Sequence, residues 1–202
     1  MLYNVCYFIG GVYLPPKVKV TAEEIIEAAV EIVRESGIDA LNARAIAARL
    51  NCSTQPIFRD FRSMNEIKQH VLQKASEIYT QFIRNAMRQS EYPPYKASGM
   101  AYIRFACEEN QLFRLLYMRD RTDEQIPEKE ALTDEINSLI MNNTGIDEKS
   151  AYSLQIEMWI FVHGIASMAA TGYLTISEKD ASKMLTHAYK GFISQFKEDK
   201  QK

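Results

Sequence analysis

The chain has 202 residues, of which 47% are hydrophobic, and a formal net charge of −2. That balance excludes a generally basic nucleic-acid binder, so any contact with a polyanion has to come from a local patch. Its three cysteines, Cys6, Cys52 and Cys107, are far apart with no paired spacing, which argues against a disulfide framework or thiolate metal site and fits a reducing cytoplasm.

Six prolines and eight glycines in this length leave room for long helices, either as two packed helical domains sharing one helix or as one large domain. Met1 to Leu14 is apolar and aromatic and contains no lysine or arginine. It has neither the positive start of a signal peptide nor the about 20 apolar residues of a membrane span. The readings for it are a misassigned start or an arm packed on the body or on a partner. Lys17 and Lys19 follow as a basic lead-in suited to DNA phosphates.

From Thr21 onward the local signals are dense. Thr21 and Glu24 form a capping box, in which hydroxyl and carboxylate each satisfy a free N–H at a helix start. Ile25, Ile26, Ala29, Ile32 and Val33 recur at helical spacing, and Gly37 stops the helix in a left-handed conformation. Asn42 caps a short second helix that buries Ile46, Ala47 and Leu50, and Asn51 suits the left-handed turn after it. Ser53 caps a third helix that turns Ile57 and Phe61 inward, with Pro56 in its first turn, where no intrahelical N–H is needed. Two short helices joined by a tight turn have the spacing of a helix-turn-helix.

The third helix exposes Thr54, Gln55, Arg59 and Arg62. Arginine and glutamine form paired hydrogen bonds to guanine and adenine edges in the major groove. Arg44 and the N-terminus of the second helix at Asn42 suit phosphates. Between Asn42 and Lys68 the cations are Arg44, Arg49, Arg59, Arg62 and Lys68, against Asp60 and Glu66. The first helix is acidic (Glu23, Glu24, Glu27, Glu31, Glu35), so it should face away from DNA. The same pattern also fits three short helices that share a core beneath a solvated charged rim.

Downstream, Ser63 with Glu66 opens a long helix striped by Ile67, Val71, Ala75, Ile78, Phe82 and Ile83, which should end before Glu91-Tyr92-Pro93-Pro94. A helix from about Lys96 to Glu109 carries Tyr102, Phe105 and Ala106, and a short one follows with Leu112, Phe113, Leu116 and Tyr117. After a charged loop from Arg119 to Pro127, a helix from about Lys129 to Asn143 stops at Gly145. Asp147 caps an apolar helix through Thr171, closed by Gly172, and Ser177 with Asp180 opens the last helix, which carries Met184, Leu185, Ala188, Phe192 and Phe196. No repeat, low-complexity tract or strand pattern is visible.

Residues 17–72 resemble the DNA-binding domain of the TetR/AcrR family of bacterial transcriptional regulators. Tyr102 to Tyr117 resembles central helices of a family subgroup, and Trp159-Ile-Phe-Val-His163-Gly164 resembles the Trp…His-Gly signature of its C-terminal domain type. The resemblance implies an all-α chain with a helix-turn-helix domain at 17–70 and a helical effector-binding and dimerisation domain at 71–202, with 1–16 as an N-terminal extension. It implies DNA contacts through Asn42, Arg44, Ser53, Thr54, Gln55, Phe58, Arg59 and Arg62. The chain departs from the family at Pro56, Phe58, Asp60 and Met64: a phenol hydroxyl and a phosphate-binding cation are missing, and Asp60 repels phosphate. Arg59 and Arg62 are the residues expected to compensate.

The helix from Asp147 to Thr171 is apolar on more than one side through Leu154, Ile156, Met158, Trp159, Phe161, Val162, Ile165 and Met168. One face serves the core; with the last helix, the other would build a four-helix bundle across a twofold axis. Such a homodimer spaces its two reading heads by roughly one helical turn, 34–36 Å, to match a pseudo-palindromic operator. The alternative is a buried central helix in a monomer.

Tyr102, Phe105, Phe113, Tyr117, Met118, Trp159 and His163 would line a cavity for an apolar or aromatic effector, although each also reads as ordinary core, His163 foremost as a hydrogen-bonded structural histidine. The expected function is a cytoplasmic dimeric repressor that a small ligand releases from its operator, with no cofactor and no membrane partner. An alternative is a helix-turn-helix adaptor that binds protein. An enzyme fits less well: His70, His163 and His187 lack metal-ligand spacing, no phosphate loop is present, and Glu108-Glu109 reads as solvated surface.

Overall fold

The computed structural model of the chain describes residues 8–9, 12–13, 20–122 and 132–198. Lys17 and Lys19, Cys6, most of the apolar arm, the loop at 123–127 and the expected helix start at 129–131 lie outside the described residues. Two of the arm's segments are described: β1 (Phe8–Ile9) and β2 (Val12–Tyr13) pair antiparallel, a short ladder where no strand was expected. Every other regular element among the described residues is helical.

The reading head contains α1 (Ala22–Ser36), a 3-10 turn (Ile38–Ala40), α2 (Ala43–Arg49) and α3 (Gln55–Asp60). The Thr21 capping box closes both ways: Glu24 N–H donates to Thr21 Oγ1 at 3.2 Å, and Thr21 N–H donates to the Glu24 carboxylate at 2.8 Å. Asn42 Oδ1 accepts from Ala45 N–H at 3.0 Å, and Asn51 takes φ 48° in the turn after α2. Gly37 ends α1 at φ 81°, ψ 171°. This is not the left-handed helical conformation expected but the mirror-β region, which a side chain cannot enter cheaply. A Cβ there would also stand 2.9 Å from Gln111 Oε1.

Ile25, Val33, Ile46, Ile57 and Ile67 are fully buried where these helices meet. Each contributes about 1.5–3 kcal/mol by leaving water, which explains how helices of seven and six residues, too short to hold alone, stay folded.

One long helix, α4 (Met64–Gln89), runs from the head into the body. Ser63 caps it, accepting from Glu66 N–H at 3.3 Å, but the Glu66 carboxylate turns back to Arg62 N–H at 2.7 Å, so the expected capping box is shifted by one residue. The body adds α5 (Pro94–Glu108), α6 (Asn110–Tyr117), α7 (Thr133–Thr144), α8 (Glu148–Ala170) and α9 (Glu178–Glu198). α5 is the central helix, packed between α4 and α8. Among the described residues no helix is long and apolar enough to cross a membrane.

Head and body meet at α1 and α6 as well as through α4. Arg34 Nε donates to Glu109 Oε2 at 2.8 Å and its Nη1 reaches Glu31 at 2.5 Å. Glu109, expected on solvated surface, is therefore part of the joint between the two halves.

Candidate DNA interface and ligand cavity

The short helix α3 sits on the head with only Ile57 fully inward. Asn42, Arg44, Ser53, Gln55, Phe58, Arg59 and Arg62 are exposed and Thr54 is half-buried. Phe58 leaves 51% of its surface open, unusual for a phenyl ring with no partner. Ser53 does not cap α3: the N-cap is Thr54, which makes no side-chain cap bond. The helix starts one turn position later than its sequence suggests, because Pro56 in the first turn already supplies the helical φ.

The cations divide into two groups. Arg59 lies alongside its neighbour: Nε donates to Asp60 Oδ1 at 2.8 Å, Nη2 to Asp60 Oδ2 at 2.6 Å, and Nη2 also to the Val20 carbonyl at 2.8 Å. The hydrogen bonds it donates to the Asp60 carboxylate push the guanidinium's pKa higher still, so it remains charged. Arg49, counted with the cationic face, forks instead onto Glu35 of α1, one arm at 3.0 Å. The side chains of Arg44, Arg62 and Lys68 are exposed and pair with no acid among the described residues. The face therefore carries fewer uncommitted charges than its composition suggests, and Asp60 is covered by Arg59 rather than presented bare.

In the body, a cavity of about 460 Å³ opens between α4, α5, α7, α8 and α9. Of the seven residues expected to line it, Tyr102 and Trp159 do. Phe105 and Phe113 are fully buried and belong to the core. Phe105 packs edge-on to Tyr79 at 5.3 Å, and Phe113 packs against Tyr102 at 5.7 Å and Tyr117 at 5.3 Å. Tyr117 completes this cluster against Tyr79 at 5.6 Å, whereas Met118 lies beyond the end of α6 and is exposed.

His163 stands between the cluster and the cavity. Its Nδ1 is 2.9 Å from Tyr102 Oη, its Nε2 is 3.2 Å from Ser167 Oγ, and its ring stacks on Trp159 at 5.0 Å. A neutral imidazole satisfies both contacts, donating through one nitrogen and accepting through the other. Burial lowers its pKa.

The residues missed by sequence reasoning come mainly from the first turn of α5 and from α9: Tyr95, Lys96, Thr186, Tyr189 and Lys190. Lys96 Nζ donates to Thr186 Oγ1 at 2.9 Å, joining α5 to α9 across the opening. A signal was present in an aromatic residue and a lysine directly after Pro93-Pro94, but the apolar stripe of α9 pointed only to assembly.

On the outer side of α8, Tyr152, Ile156, Ile160 and Met168 are exposed at helical spacing, joined by Met184 of α9, while Leu154, Met158, Val162 and Ile165 face inward. Phe161 lies between these faces, half-buried. Cys52 is half-buried and Cys107 exposed. Partial cover of the Cys107 sulfur and the nearby Glu108 push that thiol up, away from the reactive thiolate. Among the described residues no group of histidine, cysteine or acidic side chains is placed to hold a metal.

Two family models match the chain: that of the bacterial regulatory proteins of the tetR family over residues 25–71, and that of a tetracyclin repressor-like C-terminal domain over residues 95–192. No curated protein matches significantly. Solved structures with the same fold include a member of the TetR family from Streptomyces coelicolor A3, 19% identical, with a TM-score of 0.56, covering 82% of this chain and 96% of its own. A protein with unknown function from Rhodococcus sp. RHA1 is 18% identical, with a TM-score of 0.68, covering 90% of this chain and 98% of its own. The multidrug binding protein EbrR complexed with ethidium is 18% identical, with a TM-score of 0.56, covering 82% of this chain and 96% of its own.

Proposed function

Because the chain belongs to the TetR family of bacterial regulatory proteins, we propose that it is a dimeric repressor that a small apolar or aromatic ligand releases from its operator. Family membership makes it a DNA-binding transcriptional regulator rather than an enzyme. The repression, the twofold pairing, the ligand and a cytoplasmic location are this proposal's own.

The observation that carries the reading is the double duty of α4. Its N-terminal half anchors the head through Ile67 and Val71, and its C-terminal half lines the cavity through Tyr79 and Ile83. A ligand that prefers one setting of α4 shifts the population toward that head spacing, by its differential affinity and no more. The head, residues 17–70, would read the major groove with Gln55 and Arg62 of α3 and its surroundings, aided by Ser53, Thr54, Phe58 and Arg59. Asn42 and Arg44 would hold phosphates. The body, 71–202, would hold the ligand and pair through α8 and α9, where the exposed stripe of Tyr152, Ile156 and Ile160 supports a partner copy. EbrR, of the same fold, binds ethidium, which supports a ligand role for the cavity here.

The test is a fluorescence anisotropy titration of the full chain with duplex DNA from upstream of its own gene, with Gln55→Ala and Arg62→Ala as controls. Saturable, salt-sensitive binding that both substitutions weaken supports the reading. Binding indifferent to both, or absent, favours the protein-binding adaptor.

A further inference from the structure

Resting on the effector-cavity reading above, we propose that the cavity selects an amphipathic anion: an aromatic or apolar body ending in one carboxylate, in preference to neutral or cationic compounds.

Charge is the first observation. Lys96 and Lys190 line the cavity, and among the described residues no aspartate or glutamate does. Lys96 is half-buried. Its ammonium contacts the Thr186 hydroxyl at 2.9 Å and lies 4.7 Å from the centroid of the Tyr92 ring, so it is hydrogen-bonded but not neutralised. A half-buried cation with no acid beside it among the described residues favours an arriving anion. Lys190 is exposed and adds positive potential at the mouth. A cationic ligand would meet two ammonium groups and, among the described lining residues, no carboxylate to offset them.

Unmet hydrogen bonds are the second observation. The Tyr95 hydroxyl is buried in the cavity wall with no hydrogen-bond partner among the described residues. A phenol is protonated at neutral pH, and burial with the neighbouring Tyr189 pushes its pKa up further, so it stands as a donor, the group a carboxylate needs. The Gln155 side-chain oxygen, also in the wall, has no hydrogen-bond partner among the described residues either. It can accept from a ligand hydroxyl or, with the amide turned over, offer an N–H.

The remaining wall supplies the body's contacts: Ile83, Met158, Trp159, Val162 and Leu185 are apolar, and the volume of about 460 Å³ is in the range of small-molecule sites. The Lys96–Thr186 hydrogen bond and the Tyr95–Tyr189 ring contact at 5.8 Å gather polar groups of α5 and α9 in a wall that also carries these apolar side chains, which suits a ligand with one charged terminus.

Trp159 is the single tryptophan of the chain and lines the cavity, so its fluorescence responds to a ligand there, and calorimetry separates binding from any change in assembly at the neighbouring α8 face. The full-length protein is titrated with phenylbutanoate, phenylbutanamide and phenylbutylamine, which share a body and differ in the headgroup, with calorimetry as the second readout. The carboxylate is expected to bind about tenfold more tightly than the amide, and the amine most weakly. Lys96→Met should remove most of the carboxylate's advantage while leaving amide binding in place, and Tyr95→Phe should weaken the carboxylate alone. An amide as tight as the carboxylate, or an amine tighter than both, overturns the charge selection and leaves the cavity standing as an effector site. No change in Trp159 and no heat from any of the three, in protein that still binds DNA, overturns this proposal and the effector reading together. Should a variant not fold, the three-way comparison on the native chain decides alone.

Discussion

Arg59 grips its chain neighbour Asp60 through two hydrogen bonds, 2.8 and 2.6 Å, while the same guanidinium holds the Val20 carbonyl at 2.8 Å. The carboxylate that would repel a phosphate is thereby covered, and the cation that would attract one is partly spent. This pairing ties α3 to the chain entering α1. An exposed ion pair contributes little to stability, so its main consequence is electrostatic.

Replacing Asp60 with Asn should therefore tighten duplex binding several-fold at about 0.1 M salt and steepen the salt dependence by about one released counter-ion. Arg59→Ala alone should cost less affinity than Arg62→Ala, since the Arg59 guanidinium is paired with Asp60 and that of Arg62 with no acid among the described residues. Anisotropy titrations at three salt concentrations measure both. Weaker binding by Asp60→Asn would mean that the pair positions α3 rather than restrains Arg59.

Ile160 leaves 60% of its surface open in the middle of the outer stripe of α8. In a monomer Ile160→Glu should be neutral; in the proposed dimer it places a charge in an apolar contact and should yield monomers at micromolar concentration by sedimentation. Gly164 gives a second reading of the same face. Nothing lies within 4 Å of a Cβ placed there, so in a monomer Gly164→Ala gains about 1 kcal/mol of helix propensity. Loss of assembly on that substitution would place a second copy close to the α8 backbone.

His163 couples stability to pH. Burial depresses its pKa below the ordinary imidazole value, so the unfolded chain binds the extra proton first. The contribution is intact at neutral pH, above the unfolded value near 6.5, and is lost as pH falls through that value toward the folded one. Thermal melts between about pH 8 and pH 5 should show falling stability, with a shallower slope for His163→Gln. Equal slopes for the two proteins would remove His163 from the account.

Gly99 sits where α5 approaches α9: a Cβ there would stand 2.8 Å from Leu185 Cδ2. That methyl ends a flexible side chain bordering the cavity, so it has somewhere to go. Gly99→Ala should change stability by less than about 1 kcal/mol, helix propensity offsetting the displacement. It should weaken ligand binding, because Leu185 then occupies part of the cavity. A large loss of thermal stability with unchanged ligand affinity would show that Leu185 cannot turn inward.

The helix starts at Thr21, Asn42, Ser63, Asp147 and Ser177 were legible because each is a contact of a side chain with a backbone three residues on. Gly145 and Gly172 were legible because a positive φ, 70° and 72°, favours glycine whatever surrounds it. The resemblance carried the family and the helix-turn-helix. By contrast, Ser53 lost its capping role, and Arg49 and Glu109 were taken into joints with α1 from 14 and 75 residues away.

The sequence by itself determined the helices, their caps and the outward setting of α3, since these rest on contacts spanning three or four residues and on the spacing of apolar side chains. Tertiary structure alone decided that Phe105 and Phe113 go to the core while Tyr95, Lys96 and Tyr189 meet the cavity. All five lie on amphipathic helices, and which flank of a helix borders open space depends on the crossing of α5 with α8 and α9, a long-range packing outcome that no local pattern encodes.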